Sequence, residues 1–374
     1  MTVRFPWQAI AAAVALVAAL SLPTGDTPGA GALAAGTGGA ATALLLALAI
    51  AAACVPTPLP AVNGVLLFAG AHAGAAQALA LLPAVAGDAG AGFWALVLAA
   101  WLLAWLLAAR LAVLQPRTRS GAAALKLAVP ILFGVWLLFM WEAVVRGAGV
   151  PPVLLPPPSA IWTKLIGSVP TLAADFRQTF LKAVLAGFAI GSVAGFAVGI
   201  VADRIPFLRR GLLPIGNLVS ALPIVGIAPI MVMWFGFDWP SKAAVVVVMT
   251  FFPMLVNTVA GLAATDRVER DLMRTYAAGY WQTLIKLRLP AALPFLFNGL
   301  KINSTLALIG AIVAEFFGTP IVGMGFRIST EVGRLAIDMV WAEIAVAALA
   351  GSAFYGAIAL IERASTFWHP SFRT

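Results

Sequence analysis

The chain has 374 residues, of which 62% are hydrophobic and only 10% are charged, and its mean hydropathy is +1.02. A water-soluble domain typically carries about 25% charged residues, so this composition excludes an ordinary soluble protein. The formal net charge of +9 would suggest nucleic-acid binding in a soluble chain. The sequence has no basic face with interleaved exposed aromatic residues, so we expect no nucleic-acid partner.

Apolar runs of roughly 20 residues recur along the chain, and each is long enough to cross a bilayer as a helix. These runs are too long and too evenly apolar for barrel strands. The sequence therefore predicts an all-α polytopic membrane protein. The single cysteine, Cys54, supports neither an internal disulfide nor a thiolate metal site, and no metal site is expected.

Residues 1–120 are rich in Ala and Gly and predict an N-terminal membrane extension of about three to four transmembrane helices. The first apolar stretch fits either a first spanning helix or a signal peptide, and we favour the span. The later runs in this region are Thr42–Val55, Pro60–Val85 and Phe93–Leu114. A polar break from Gln115 to Lys126 separates the extension from a second region, residues 121–374.

Six further spans are predicted in the second region. They are Leu127–Val145, Phe180–Val201, Leu212–Phe235, Ala243–Ala264, Leu296–Glu315 and Val340–Ile361. Most of the Lys and Arg residues between the spans fall in segments 110–126, 203–211, 265–294 and 363–374. The positive-inside rule assigns these segments to the cytoplasm and segments 147–177, 237–242 and 317–339 to the outside.

The longest charged segment on the predicted cytoplasmic side is residues 265–294, hereafter the docking loop. Its helical pattern from Val268 to Leu287 places apolar residues on one broad stripe. The stripe contains Leu272, Met273, Tyr276, Ala277, Tyr280, Trp281, Leu284 and Ile285. Gly279 permits a bend in the middle, and Pro290 is expected to end the helical pattern before the next span.

Such a helix could lie on the membrane surface, pack back under the spans, or dock into a groove of a separate cytoplasmic protein. We favour docking because the segment is rich in residue types that anchor protein interfaces. These anchors are Arg270, Arg274, Tyr276, Tyr280 and Trp281.

The stretch YWQTLIKLRLPAALP, from Tyr280 to Pro294, resembles the cytoplasmic loop of binding-protein-dependent ABC importer permeases. That loop carries a Glu-Ala-Ala triplet, a later Gly and an Ile/Leu-x-Leu-Pro end, which Leu287–Pro290 matches here. By the family spacing, Asp271 takes the place of the acidic residue and Ala277 takes the place of the Gly. The resemblance implies that Asp271, Ala277 and Pro290 belong to the ATPase-docking loop.

Three further segments resemble the nitrate, sulfonate and taurine branch of the same family. They are FMWEAVVRGAGVPPVLLPPPSAIW (Phe139–Trp162), MVMWFGFDWPSK (Met231–Lys242) and LIGAIVAEFFGTPIVGMGF (Leu308–Phe326). The closing FWHPSFR also fits. The resemblance covers about residues 125–374 and implies a six-helix type I permease core in a bacterial inner membrane.

The family resemblance also implies the partners. They would be a second permease copy, giving a homodimer, together with cytoplasmic ABC ATPase subunits, an external substrate-binding protein and the surrounding lipid. The chain has no G-x-x-x-x-G-K-[ST] phosphate loop, so ATP and Mg are expected on the ATPase subunit and no cofactor is expected here. The chain would then be a transport subunit and not an enzyme.

Polar residues inside spans are candidates for the transport pathway, because they are costly in a membrane. The candidates are Asn217, Pro223, Asn257, Asn303 and Glu315. Hydrogen bonds between helices are the ordinary alternative for the amides. Glu142 and Arg146, one turn apart, are interpreted as a structural pair.

The segment AIVAEFFGTPIVGMGFRISTEVGRL most resembles permeases for riboflavin or a thiamine-precursor pyrimidine, so a vitamin or vitamin precursor is the expected substrate. A nitrate, sulfonate or taurine importer is the alternative within the family. Outside it, an ion-coupled secondary transporter would need carboxylates near mid-span, and a membrane enzyme would need metal motifs or paired acids. The sequence has neither feature.

Overall fold

The computed structural model describes residues 6–25, 38–54, 60–116, 118–220, 223–318 and 321–368. The chain divides into two compact units, Met1–Ile161 and Trp162–Thr374. Seven helices of the described residues are long and apolar enough to cross a membrane. They are Val62–Val85, Ala91–Val113, Arg119–Gly147, Val169–Arg204, Trp239–Ala263, Tyr280–Glu315 and Ile337–Ser365.

The first unit is built from small residues. Its helices are α1 (Trp7–Ser21), α2 (Gly39–Cys54), α3 (Pro60–Val85), α4 (Ala91–Val113) and α5 (Arg119–Gly147). Fully buried alanines such as Ala9, Ala12 and Ala71 let these helices approach closely. Helices α1 and α2 have 15 and 16 residues, fewer than the roughly 20 that a perpendicular span needs.

Hydrogen bonds of Arg110 and Glu142 join separate segments of the first unit. Arg110 Nη2 donates to the carbonyl of Ala53 at 2.8 Å and so satisfies the last turn of α2. The Glu142 carboxylate accepts from Arg146 Nη1 at 3.3 Å and from the backbone N–H and hydroxyl of Ser159 at 2.9 and 2.7 Å. The predicted structural pair of Glu142 and Arg146 is therefore confirmed.

The next helix, α6 (Pro158–Gly167), begins in the first unit. In the second unit, α7 (Val169–Phe176) and α8 (Leu185–Arg204) are joined into one span by a π-helical segment, Arg177–Val184. The remaining helices are α9 (Pro206–Ser220), α10 (Ile224–Phe235), α11 (Trp239–Ala263), α12 (Arg267–Thr275), α13 (Tyr280–Thr283), α14 (Leu289–Glu315), α15 (Met324–Gly333) and α16 (Ile337–Ser365). A second π-helical segment, Leu284–Arg288, joins α13 to α14.

Helix α11 lies at the centre of the second unit, packed on α8 and α14. Glycines recur at every fourth position of α8, at Gly187, Gly191, Gly195 and Gly199. A Cβ atom at any of them would collide with α11, for example with the Thr250 hydroxyl at Gly191. This stripe therefore allows α8 and α11 to pack with their backbones close together.

The predicted span Leu212–Phe235 is not a single helix. It comprises the end of α9 and all of α10, with Pro223 as the residue that precedes α10. A proline at that position has a fixed φ, here −68°, and extended ψ, so it begins a new helix and does not continue the old one.

The predicted helix from Val268 to Leu287 is broken as well. Ala277 has a left-handed φ of 54° between α12 and α13. Pro290, expected to end the helical pattern, lies instead in the first turn of α14, within a helix that continues from Tyr280 to Glu315. Proline cannot donate to the carbonyl four residues earlier, which fits the widened π-helical turns just before it.

Candidate functional site

The first helix of the docking loop is exposed on the surface of the second unit. Helix α12 buries none of its side chains, and Leu272 and Tyr276 are 56% and 78% exposed. Arg274 Nη1 lies 3.2 Å from Asp271 Oδ1 in an exposed ion pair. A helix packed back against the second unit would bury one face, so the structure does not support that alternative for α12.

Both ends of α12 are closed by groups from the loop itself. At the start, the backbone N–H of Asp266 donates to Glu269 Oε2 at 3.3 Å. At the end, Ala278 N–H donates to the carbonyl of Met273 at 3.0 Å and Ala277 N–H donates to that of Arg274 at 2.9 Å. These bonds form a Schellman motif, in which the left-handed residue is usually glycine and here is Ala277.

Beyond this turn, the predicted apolar stripe divides. Leu284 is buried and Tyr280 is half-buried beside it in one apolar cluster. The guanidinium of Arg204 lies 4.6 Å from the centroid of the Tyr280 ring, in cation–π geometry. Trp281 is 61% exposed. The loop therefore presents Tyr276 and Trp281 outward while Tyr280 contacts the helices, and Arg270 and Pro290 are half-buried.

One arginine fixes the docking loop to the spans. Arg288 Nη1 and Nη2 donate to the two Asp203 carboxylate oxygens at 2.7 and 2.8 Å. Its Nε and Nη2 also donate to the carbonyl of Leu262 at 3.0 and 2.8 Å. We call Arg288, Asp203 and the Leu262 carbonyl the inner clamp. It joins the C-terminal ends of α8 and α11 to the start of α14.

The opposite end of α14 carries a buried polar cluster, hereafter the outer junction: Asp175, Thr179, Lys242, Glu315, Arg327 and the backbone N–H groups of residues 323–325. Asp175 is fully buried and accepts from Arg327 Nε at 2.9 Å and from Gly323 N–H at 2.6 Å. Burial opposes the charged form of Arg327, but the Asp175 hydrogen bond and charge outweigh this and raise the pKa of Arg327 above its ordinary value.

Glu315 is held from two directions. Its carboxylate accepts from the Thr179 hydroxyl at 2.7 and 3.0 Å and from Gly325 N–H at 2.7 Å. The Thr179 hydroxyl also accepts from Met324 N–H at 2.8 Å. Glu315 is only 2% exposed, so it lies inside the packing between helices and fixes the segment at the start of α15.

The outer junction needs glycine at two positions. Gly323 has a φ of 143°, and a Cβ atom there would lie 2.7 Å from Glu315 Oε1. A Cβ atom at Gly325 would collide with the carbonyl of Ile312. Only glycine lets this backbone approach the carboxylate closely enough to donate to it.

Lys242 ties two further segments to the outer junction. Its ammonium group donates to the carbonyls of Phe237, at 2.7 Å, and Gly318. These carbonyls follow the C-terminal ends of α10 and α14, where a cation is favoured. Asp238, at the start of α11, accepts from Trp239 N–H at 2.7 Å, and this hydrogen bond lowers the pKa of Asp238 below its ordinary value.

An open cavity lies beside the outer junction. Its volume is about 680 Å³, and Arg177, Gln178, Lys182 and Asp238 line it. Gln178 bridges two of these lining residues, since its Nε2 donates to Asp238 at 2.6 Å and its Oε1 accepts from Lys182 at 2.9 Å. Within the described part of the chain, no group of three or more His, Cys, Asp or Glu side chains is arranged to hold a metal ion.

The predicted pathway residues lie in different surroundings. Asn303 is buried and donates to Ser192 Oγ at 2.9 Å and to the Thr250 carbonyl at 2.8 Å, bonds that join α14 to α8 and α11. Asn257 is half-buried and accepts from the exposed Asn298 at 3.1 Å. Pro223 precedes α10, and the side chain of Asn217 lies outside the described residues. Their pathway role stays a prediction.

Sequence reasoning missed most of the outer junction. It identified Glu315 but treated Lys242 and Arg327 only as loop charges, and it did not consider Asp175 or Thr179. One signal was available: Asp175 is one of only 14 acidic residues in the chain, and Gly323 and Gly325 flank a single residue in the outer segment.

The membrane-length helices define a multi-pass membrane protein, and the second unit carries an exposed charged loop at one end of α14 and a buried polar junction at the other. Residues 187–366 match the family described as binding-protein-dependent transport system inner membrane component. The formylaminopyrimidine transport permease protein ThiX of Halalkalibacterium halodurans is 34% identical over 243 residues, which cover 64% of this chain and 95% of that protein.

Two other transport permeases are similar in sequence to this chain. The riboflavin transport system permease protein RibX of Chloroflexus aurantiacus is 32% identical over 249 residues, covering 66% of this chain and 91% of the relative. The taurine transport system permease protein TauC of Escherichia coli is 29% identical over 247 residues, covering 62% and 86%. The chain therefore belongs to the family of binding-protein-dependent ABC importer permeases.

This membership confirms the predicted fold class, the inner-membrane location and the transport function. The protein is a transport subunit, and ATP hydrolysis belongs to a separate subunit. Its system also includes a substrate-binding protein. The boundary predicted near residue 120 differs from the division at Ile161, because α5 packs on α3 and α4 within the first unit. That boundary stays a prediction.

Proposed function

We propose that this permease imports a small vitamin or vitamin precursor, of the riboflavin or formylaminopyrimidine class. The proposal is supported by two relatives named for those substrates, each more than 30% identical and covered over nine tenths of its length or more. A sulfonate or taurine substrate is the alternative, supported by relatives of lower identity.

The permease would work as a homodimer in the lipid bilayer, with one ATPase subunit on the docking loop of each copy. ATP and Mg would be bound by the ATPase subunits. The observation that carries the docking role is the exposure of Tyr276 and Trp281 beside a preformed α12 whose ends are already closed. Exposed aromatic residues on a fixed helix are typical anchors of protein interfaces.

The docking role can be tested with two matched tryptophans. Trp281 and Trp162 are 61% and 63% exposed, but Trp162 lies in α6, outside the docking loop. We expect Trp281→Ala to weaken association of the purified permease in nanodiscs with its ATPase by about tenfold or more, the loss typical of an interface anchor. Trp162→Ala should leave that affinity unchanged. Equal affinities for wild type and Trp281→Ala would contradict the docking role.

The substrate class needs a separate measurement. Cells that express the permease with its ATPase and binding protein should take up labelled riboflavin or formylaminopyrimidine, and unlabelled taurine in excess should not compete. Competition by taurine, with no vitamin uptake, would favour the sulfonate and taurine alternative. Uptake that collapses with the proton gradient while ATP remains would instead indicate a secondary transporter.

A further inference from the structure

We propose that Arg288 is the positioning residue through which movement of the docking loop reaches the spans, so that the inner clamp couples ATP hydrolysis to transport. This inference rests on the proposed docking of the ATPase on residues 265–294. It assigns a role to a side chain at the unspecified position of the Leu-x-Leu-Pro pattern, where the family resemblance predicts nothing.

The geometry of Arg288 is specific to a guanidinium. Its paired bonds to Asp203 are charge-assisted and bidentate, at 2.7 and 2.8 Å, and two more bonds reach the Leu262 carbonyl. The side chains of Arg288 and Asp203 are only 14% and 5% exposed. A planar fork that binds two partners at once fixes direction as well as distance, which a flexible ammonium group cannot do.

The partners of Arg288 lie at helix ends. Asp203 is the penultimate residue of α8, and Leu262 is the penultimate residue of α11. Because the last carbonyls of a helix lack partners within it, the Leu262 carbonyl is free to accept from Arg288. Arg288 itself immediately precedes α14. One side chain thus holds the inner ends of three spans.

The three spans can carry a displacement as a unit. Helix α11 packs along both α8 and α14, and the α8 glycines place the α8 and α11 backbones close together. Helix α14 has 27 residues, a length of about 40 Å at 1.5 Å per residue. A shift at its inner end therefore reaches Glu315 and the outer junction along one continuous helix.

The docking loop has few other contacts that could transmit its displacement to the spans. The side-chain hydrogen bonds of α12 join residues of the loop itself, such as Arg274 to Asp271 and Thr275 to the Asp271 carbonyl. The second attachment is the Tyr280 region, where Leu284 is buried and Arg204 lies over the tyrosine ring. Tyr280 and Leu284 hold the loop by apolar contact, whereas the directional hydrogen bonds of the inner clamp fix the orientation of the loop relative to the spans.

The test is Arg288→Lys, which keeps the positive charge but loses the bidentate geometry. The measurements, made on the full permease with its ATPase and binding protein in proteoliposomes, are ATPase affinity, ATP turnover and substrate uptake. We expect affinity and turnover to stay within about twofold of wild type, while uptake per ATP falls tenfold or more. Arg334→Lys, in the exposed pair of Arg334 with Glu331, is the control and should change none of these values.

Two results would overturn the proposal. Uptake per ATP equal to wild type would mean that the clamp does not couple, and a parallel fall of affinity, turnover and uptake would mean that it is merely structural. If Arg288→Lys aggregates, uptake per ATP is measured for Asp203→Asn and judged by the same two outcomes. This variant removes the charged partner of Arg288 but leaves both Arg288 bonds to the Leu262 carbonyl in place. The Trp281→Ala experiment reports on docking separately, so a failure of the proposed function is distinguishable from a failure of this inference.

Discussion

The two ends of α14 differ in where they place charged side chains: the outer junction buries them, and the docking loop exposes them. At the outer junction, Asp175 and Glu315 are buried, and each accepts hydrogen bonds from a side chain and from a backbone N–H group. At the docking loop, Asp271 and Arg274 are paired in solvent, where the pair contributes little. Asp175 and Glu315 therefore have their hydrogen-bond donors within the chain, whereas the docking loop leaves exposed surface for a partner.

Because of this difference, buried and exposed carboxylates are expected to have different roles in the protein. A buried carboxylate must keep its partners, because losing one leaves an uncompensated charge in a medium of low dielectric constant. An exposed pair tolerates loss of a partner, since water replaces it. Stability should therefore depend on the outer junction, and association with a partner should depend on the docking loop.

The largest expected effect contrasts Asp175 with Asp271. Asp175→Ala removes the acceptor of Gly323 N–H and the nearer carboxylate of the half-buried Arg327, which keeps Glu331 as an ion-pair partner at 3.8 Å. We expect it to lower the free energy of unfolding by about 3–5 kcal/mol. Asp271→Ala removes an exposed i,i+3 pair and should cost no more than about 0.5 kcal/mol. Equilibrium unfolding in mixed micelles measures the free energy of unfolding of both variants. Equal losses would contradict the conclusion that stability depends on the outer junction and not on the docking loop.

A smaller effect is expected from two glycines with the same substitution. Gly323→Ala forces a non-glycine residue to a φ of 143° and places a Cβ atom against the Glu315 carboxylate. We expect a loss of about 2–4 kcal/mol by the same unfolding measurement. At Gly279, φ is −70° and no atom lies within 4 Å of the added Cβ, so Gly279→Ala should be close to neutral. A neutral Gly323→Ala would contradict the close approach of this backbone to Glu315.

The smallest effect sharpens the description of the docking loop. Ala277 has a left-handed φ of 54°, which costs a residue with a Cβ atom about 1 kcal/mol relative to glycine. Ala277→Gly should therefore slow amide hydrogen exchange in α12 by up to about fivefold, the factor that corresponds to 1 kcal/mol. Ala277→Val should accelerate it, because a β-branched side chain tolerates this conformation least. Unchanged exchange in both variants would mean that the turn does not limit the stability of α12.

The sequence predicted most of the long spans because long apolar runs depend only on local composition, but the predicted span Leu212–Phe235 is divided at Pro223. It also located the docking loop from its charges. It did not predict the break at Ala277, since nothing in the local pattern requires alanine to adopt a left-handed φ. The turn follows from the two backbone bonds to Arg274 and Met273.

The outer junction was harder to predict, because its partners are far apart in sequence. Asp175 and Arg327 are separated by 152 positions, and Thr179 and Glu315 by 136. Each residue alone resembles an ordinary polar or charged residue of a loop or a span end. Only the packing of α7 and the π-helical segment after it against α14 and α15 brings them together, and no periodicity in a single segment encodes that packing.

The closed ends of α12 have a consequence for assembly. A helix of nine residues is too short to be stable by itself in water, so an uncapped version would have to fold as its partner arrived. With Glu269 bonded back to Asp266 and the Ala277 turn in place, α12 is already formed without a partner. Under the proposed docking role, little conformational entropy would remain to be lost at the encounter, and association with the ATPase would proceed without a folding step.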